Sequence, residues 1–94
     1  MLVVRNCFVC KPGSASKLAA QLKEAAASAK IPKHRVLTDL TGDFNRVIFE
    51  YEAENLGEFE ARLRDYHTNS AFRDKIKGYT ELWTAGSREI LEIA

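Results

Sequence analysis

Three side chains of this 94-residue chain, Asn6, His67 and Trp83, could carry chemistry at one apolar site. Asn6 is the one polar side chain on an otherwise apolar face of a predicted strand. An unpaired buried amide costs roughly 1–3 kcal/mol, so a neighbour or a ligand must satisfy it. His67 has an unperturbed pKa of about 6.5 and could transfer a proton near neutral pH. The Trp83 indole could stack on a flat ligand.

Aromatic residues are numerous enough to line a small-molecule site around these three side chains. Such sites usually have apolar walls and a few convergent polar groups. The candidate walls are Phe8, Phe49, Phe59, Tyr66, Phe72 and Trp83, and further polar contacts could come from Tyr51 or Tyr79. The same residues could form an ordinary core. Asn6 is then a satisfied buried amide, His67 a helix-end residue and Trp83 a core aromatic.

Cys7 and Cys10 are the only cysteines, and they have the C-x-x-C spacing of redox and zinc motifs. On a predicted strand, residues three positions apart point to opposite faces and cannot form a bridge. No second Cys or His pair completes a tetrahedral zinc site. We therefore predict two free structural thiols, no metal site and a reducing, cytoplasmic location.

Composition and motifs exclude several classes of function. The chain is 46% hydrophobic and 29% charged with a net charge of +1, so no global field attracts nucleic acid or a membrane. It has no apolar run of membrane-spanning length, and we expect no signal peptide because the first residues run directly into a strand. Phosphate-binding, dinucleotide-binding and nucleophile motifs are also missing. We expect neither a nucleic-acid nor a membrane partner.

Hydrophobic periodicity predicts four strands and two long helices. The predicted strands are 2–11, 35–41, 46–53 and a last one that begins at Tyr79, is interrupted by a bulge or bend at Gly86 and continues to the C terminus. The first helix runs from Ser14 or Ser16 to about Lys30. The second follows the cap residue Asn55 and ends near His67, and a short helix covers 70–77.

The order strand, helix, strand, strand, helix, strand predicts one α+β domain over residues 1–94 with ferredoxin-like βαββαβ topology. Right-handed crossovers place both helices on one face of a four-stranded antiparallel sheet. The bare face carries either Val3, Cys7 and Val9 or Leu2, Val4 and Phe8. An apolar sheet face is not left in water, and the apolar tail 90–93 also needs a surface. We therefore predict a homodimer with a twofold axis.

This element order resembles the dimeric α+β barrel superfamily, which includes NIPSNAP-like proteins and antibiotic-biosynthesis monooxygenases. The most specific segments are Asn69-Ser70-Ala71-Phe72-Arg73 and Tyr79-Thr80-Glu81-Leu82-Trp83. The resemblance covers the whole chain through its element order. It implies a homodimer whose two sheets form a barrel, with the C-terminal strand reaching the neighbour. Fold alone does not determine the function.

Two functions remain from the resemblance. The first is a homodimeric NIPSNAP-like protein that binds a small apolar or aromatic molecule between helices and sheet. The candidate catalytic residues are His67 and Asn6, and the candidate ligand contacts are Phe8, Tyr66, Phe72 and Trp83. The alternative is a cofactor-independent or haem-dependent monooxygenase of the antibiotic-biosynthesis type. Haem-degrading members use an Asn, a Trp and a His around such a pocket. Asn6 lies on the first strand as theirs does, whereas Trp83 lies on the last strand, unlike theirs. The sequence leaves the cofactor and the presence of enzymatic activity open.

Overall fold

Four antiparallel strands and the helices packed on one side of them make up the computed structural model, which describes residues 1–94. The strands are β1 (Leu2–Cys10), β2 (Arg35–Thr38), β3 (Arg46–Ala53) and β4 (Trp83–Glu92). The helices are α1 (Ala15–Ser28), α2 (Leu56–Thr68) and α3 (Ser70–Lys75), and a 3-10 turn covers Tyr79–Glu81. The sheet order is β2-β3-β1-β4. The predicted ferredoxin-like α+β fold is thus confirmed.

Side-chain alternation along β1 and β3 divides the sheet into a covered and an open face. On β1 the buried positions are Val4, Asn6 and Cys10, which face the helices. The core is completed by Leu18, Leu22, Ala26, Ile31, Val47, Phe49, Tyr51, Ala53 and Phe59. The open face therefore carries Val3, Cys7 and Val9, which is the first of the two sets of residues predicted for that face.

Local capping explains where α2 and α3 begin. The Asn55 side chain accepts a hydrogen bond from the Glu58 backbone N–H at 2.9 Å, and Asn69 accepts one from Phe72 N–H at 3.0 Å. Glu58 reaches back to the N–H of Glu54 at 3.1 Å, as in a capping box. None of the helices combines the length and the apolar composition needed to cross a membrane.

The second strand is shorter than predicted. β2 ends at Thr38, and Leu40, which was expected on the strand, is 96% exposed. The reason is local, because the Asp39 carboxylate accepts the backbone N–H of Arg46 at 2.7 Å. This side-chain hydrogen bond replaces the backbone pairing that would follow the Thr38–Val47 pair, so the strand ends and the loop begins.

The prediction for the last strand was wrong at two points. Tyr79 begins a 3-10 turn after Gly78, whose φ of 80° is left-handed, so the strand starts only at Trp83. Gly86 is not a bulge, because it pairs regularly with Phe8, and the register shift lies between Val9 and Cys10. A Cβ on Gly86 would lie 3.4 Å from the Trp83 ring. Gly86 therefore makes room for the indole.

β4 pairs with β1 of its own chain from Trp83 to Glu92, and Ile93 N–H donates to Met1 carbonyl oxygen at 2.9 Å. Ile90, Leu91 and Ile93 all remain partly exposed. The tail still presents apolar surface, although it is anchored by its own sheet.

Cys7 and Cys10 are free thiols on opposite faces, with Cys10 only 3% exposed. Burial raises the pKa of the Cys10 thiol, and Asp39 adds to this effect. We expect Cys10, isolated in a Cys7→Ser variant, to react with a thiol reagent about 100-fold more slowly in the folded than in the unfolded chain, because it reacts only after local opening. Cys10→Ser is the matched variant that isolates Cys7. A titration of unfolded protein that found a Cys7–Cys10 disulfide would contradict the strand assignment.

Candidate functional site

A cavity of about 130 Å³ lies between the covered sheet face and the helices α2 and α3. The sheet contributes side chains from β1, β3 and β4, and α1 closes one side through Leu22. Five of the six predicted site residues line this one cavity. The lining residues are Asn6, Phe8, Leu22, Phe49, Tyr51, Leu63, Tyr66, His67, Phe72, Ile76, Tyr79 and Arg88. Residues up to 82 positions apart in sequence are thereby brought to one place.

Asn6 is held at the sheet side of the cavity and is 8% exposed. Its Oδ1 accepts a hydrogen bond from Arg88 Nε at 2.7 Å. Its Nδ2 lies 3.5 Å from the Phe49 carbonyl oxygen, which is at the long limit for a hydrogen bond. The amide oxygen is therefore satisfied within the chain, whereas the amide nitrogen retains donor capacity.

His67 and three tyrosines supply the remaining polar groups. His67 is exposed on the last turn of α2, at the rim of the cavity. Tyr51 is 4% exposed, and burial, with a contribution from Tyr66, raises its pKa to about 12. Burial likewise raises the pKa of Tyr66. Both phenols therefore stay protonated at neutral pH and can donate hydrogen bonds.

Arg88 is the site residue that the sequence interpretation missed. It lies on β4 directly opposite Asn6 in the β1–β4 register, and its guanidinium carbon is 5.5 Å from the centroid of the Phe59 ring. The predicted break at Gly86 left the orientation of the following residues undetermined. A continuous strand paired with β1 would have placed Arg88 beside Asn6 on the covered face.

Trp83 does not line the cavity. Its ring centroid is 5.4 Å from that of Phe8, and it borders a separate depression with Phe8, Tyr79 and Arg88. The buried indole Nε1 has no hydrogen-bond partner. Trp83 thus packs against Phe8 and borders a second depression, which shares Asn6, Phe8, Tyr79 and Arg88 with the cavity.

The composition and the volume of the cavity limit the kind of ligand that it could hold. No group of three or more His, Cys, Asp or Glu side chains could hold a metal ion. Pockets for drug-sized ligands measure about 300–1,000 Å³, and the volume of about 130 Å³ lies below that range. It is close to the roughly 150 Å³ of an engineered apolar cavity that holds one benzene ring. The volume of this cavity therefore matches that of a single aromatic ring.

No family model and no curated protein sequence matches the chain. Solved structures do match its fold. An uncharacterised NIPSNAP domain protein from Burkholderia xenovorans has a TM-score of 0.85 at 13% identity, with 100% of this chain and 95% of that chain covered. A NIPSNAP family protein from Agrobacterium tumefaciens has a TM-score of 0.85 at 14% identity, covering 99% and 92%. An antibiotic biosynthesis monooxygenase has a TM-score of 0.74 at 14% identity, covering 100% and 99%. The chain therefore has the ferredoxin-like α+β fold of NIPSNAP domain proteins and antibiotic biosynthesis monooxygenases, the fold that its sequence resemblance predicted.

Proposed function

We propose that this protein is a homodimeric, NIPSNAP-like binding protein for a small apolar or aromatic molecule, which it holds between its helices and its sheet. The observation that supports this function is the cavity itself. Its walls are mainly aromatic and aliphatic, and Asn6, His67 and Arg88 add polar groups at defined positions. Apolar walls with a few fixed polar groups are the usual composition of a small-molecule site.

The homodimer is supported by the open face of the sheet. Val3, Cys7, Val9, Leu37, Ile48 and Leu91 leave apolar surface there. A second copy could cover this surface through the same residues about a twofold axis. The two free thiols support a cytoplasmic, reducing location for the dimer.

Cofactor-independent monooxygenation is the second candidate. His67 is the one histidine that lines the cavity, and it shares the cavity with Asn6 and with protonated tyrosines. Oxygen consumption during incubation with a bound aromatic compound would distinguish an oxygenase from a binding protein. The haem-dependent form of this function would need more space than the about 130 Å³ of this cavity alone.

Binding of single-ring probes tests the proposed function. We expect benzyl alcohol, benzoate or both to cause saturable NMR shifts of the backbone amides of Phe8 and Phe49. Asn6→Ala and His67→Ala should weaken this binding about 3- to 10-fold, the range for one lost hydrogen bond, while the dimer persists. His34→Ala is the matched control, because the His34 ring contacts the Ile31 carbonyl oxygen and lies outside the cavity.

Two results would contradict the function. Absence of saturable shifts with both compounds would remove the binding site. Equal binding by Asn6→Ala, His67→Ala and His34→Ala would show that neither Asn6 nor His67 contacts the ligand. Asn6 would then be an ordinary core amide and His67 an ordinary residue at a helix end. In that case Asn6→Ala would change only the free energy of unfolding.

A further inference from the structure

We propose that the ligand of this cavity is an aromatic or other apolar molecule that carries an anionic group, such as a carboxylate, which binds the Arg88 guanidinium while the ring fills the apolar part. This inference rests on the proposed binding function and narrows its ligand class. It depends on the position of Arg88, on its lack of a counter-ion and on the donors around it.

The Arg88 side chain is held in position by contacts that leave its terminal N–H groups without partners. Its Nε donates to Asn6 Oδ1 at 2.7 Å, and the Phe59 ring lies 5.5 Å from the guanidinium carbon. A guanidinium has five N–H donors, so the groups on its two terminal nitrogens remain free. Two terminal N–H groups in this planar arrangement match the two oxygens of a carboxylate.

The charge of Arg88 is not neutralised within the chain. No ion pair includes Arg88, whereas Arg5, Arg35 and Arg62 each pair with a glutamate. No Asp or Glu lines the cavity. An anionic ligand would therefore meet one positive charge and no negative one.

The neighbouring polar groups favour an anion as well. Tyr51 and Tyr66 line the cavity as protonated phenols, and the Asn6 Nδ2 group retains donor capacity. Hydrogen bonds donated to an ionised acceptor are about twice as strong as those between neutral groups. A ligand with an acidic group thus gains more from this site than a neutral one of the same size.

A matched pair of probes tests the charge of the ligand. Benzoate and benzyl alcohol share one ring, which suits the volume of about 130 Å³, and differ in charge. Dissociation constants and the NMR signal of Arg88 Nε–H would be measured for both compounds. We expect benzoate to bind at least about 10-fold more tightly than benzyl alcohol, the lower range for a charge-assisted hydrogen bond. The Arg88 Nε–H signal should shift with benzoate.

Substitution of Arg88 tests the residue. Arg88→Met keeps an unbranched side chain and removes the charge, so the preference for benzoate should disappear while benzyl alcohol binding changes less than about 3-fold. Arg64→Met, which changes an exposed arginine on α2 outside the cavity, should leave the preference intact.

The outcomes separate this inference from the proposed function. Benzyl alcohol that binds as tightly as benzoate to the unchanged protein overturns the anionic ligand and leaves the binding function standing. A preference for benzoate that survives Arg88→Met overturns the role of Arg88. Absence of binding by both compounds overturns the proposed function and this inference together. The comparison on the unchanged protein is decisive even if Arg88→Met fails to fold.

Discussion

Ile48→Asp is expected to convert the proposed homodimer into folded monomers. Ile48 lies on the open face of the central strand β3, between Cys7 on β1 and Leu37 on β2. A twofold interface would bury two introduced carboxylates, one from each copy, and each unsatisfied polar group costs about 1–3 kcal/mol or more. The dissociation constant should therefore rise by on the order of 100-fold. Sedimentation equilibrium at micromolar concentration would show the chain mass in place of twice that mass.

Leu56→Asp is the matched control for this prediction. Leu56 is an exposed apolar residue of the same size as Ile48, but it lies at the start of α2, in the helical layer of the fold. An acidic residue in the first turn of a helix is favourable, so the variant should fold and remain a dimer. If Leu56→Asp were a monomer and Ile48→Asp remained a dimer, the interface would lie on the helices and not on the open face of the sheet. A clean monomer of the unchanged chain would contradict the dimer itself.

The reactivity of Cys7 gives an independent readout of the same interface. Cys7 pairs with Ile48 across β1 and β3 on the open face, whereas Cys10 faces the core. Dimer formation should therefore protect Cys7 as protein concentration rises. In the Ile48→Asp variant, the rate at which Cys7 reacts should not depend on concentration over the same range.

The element order of this fold could be predicted because each element has a strong local signal. α2 and α3 start at asparagine caps, and the alternation of Val47, Phe49 and Tyr51 identified the covered face of β3. The ends of β2 and β4 could not be predicted from such signals. The end of β2 depends on the Asp39 bond to Arg46, a contact between segments, and the start of β4 depends on the 3-10 turn that follows the left-handed Gly78.

The candidate site was predicted in part for the same reason. Asn6 and His67 stand out by residue type, and the topology brings both to one cavity. Arg88 does not stand out among the many charged residues of the chain. Its place beside Asn6 follows from the exact pairing of β4 with β1, a tertiary property that composition and periodicity do not contain.

Glu50→Gln is expected to lower the free energy of unfolding by about 1–3 kcal/mol at neutral pH. Glu50 is 3% exposed on the open sheet face, and its two carboxylate oxygens accept bonds from Arg5 Nε at 2.5 Å and Arg35 Nε at 2.8 Å. The substitution keeps the shape but leaves two arginines near each other without the negative charge. Both arginines remain partly hydrated, which limits the loss.

The pH dependence gives the sharper test of Glu50. Burial alone would raise the pKa of Glu50, but the hydrogen bonds from Arg35 and Arg5 outweigh it and hold the pKa below its ordinary value. A carboxyl whose folded pKa is lowered contributes its full stability above the unfolded pKa, about 4.3, and loses it as the pH falls through the folded pKa. The difference in free energy of unfolding between the unchanged protein and Glu50→Gln should therefore become smaller below about pH 4.

Urea unfolding at pH 7 and at pH 3 would measure this loss of stability. Both measurements use one protein concentration, because the stability of a dimer depends on concentration. Glu52→Gln is the matched control on the same strand and face. Its carboxylate is 3.8 Å from the ammonium of Lys33, and both side chains are more exposed than that of Glu50. We expect this control to lose less than about 1 kcal/mol, as exposed pairs do. Equal deficits for the two variants, or a Glu50→Gln deficit that stays constant between the two pH values, would contradict the stabilising role of the Arg5–Glu50–Arg35 group.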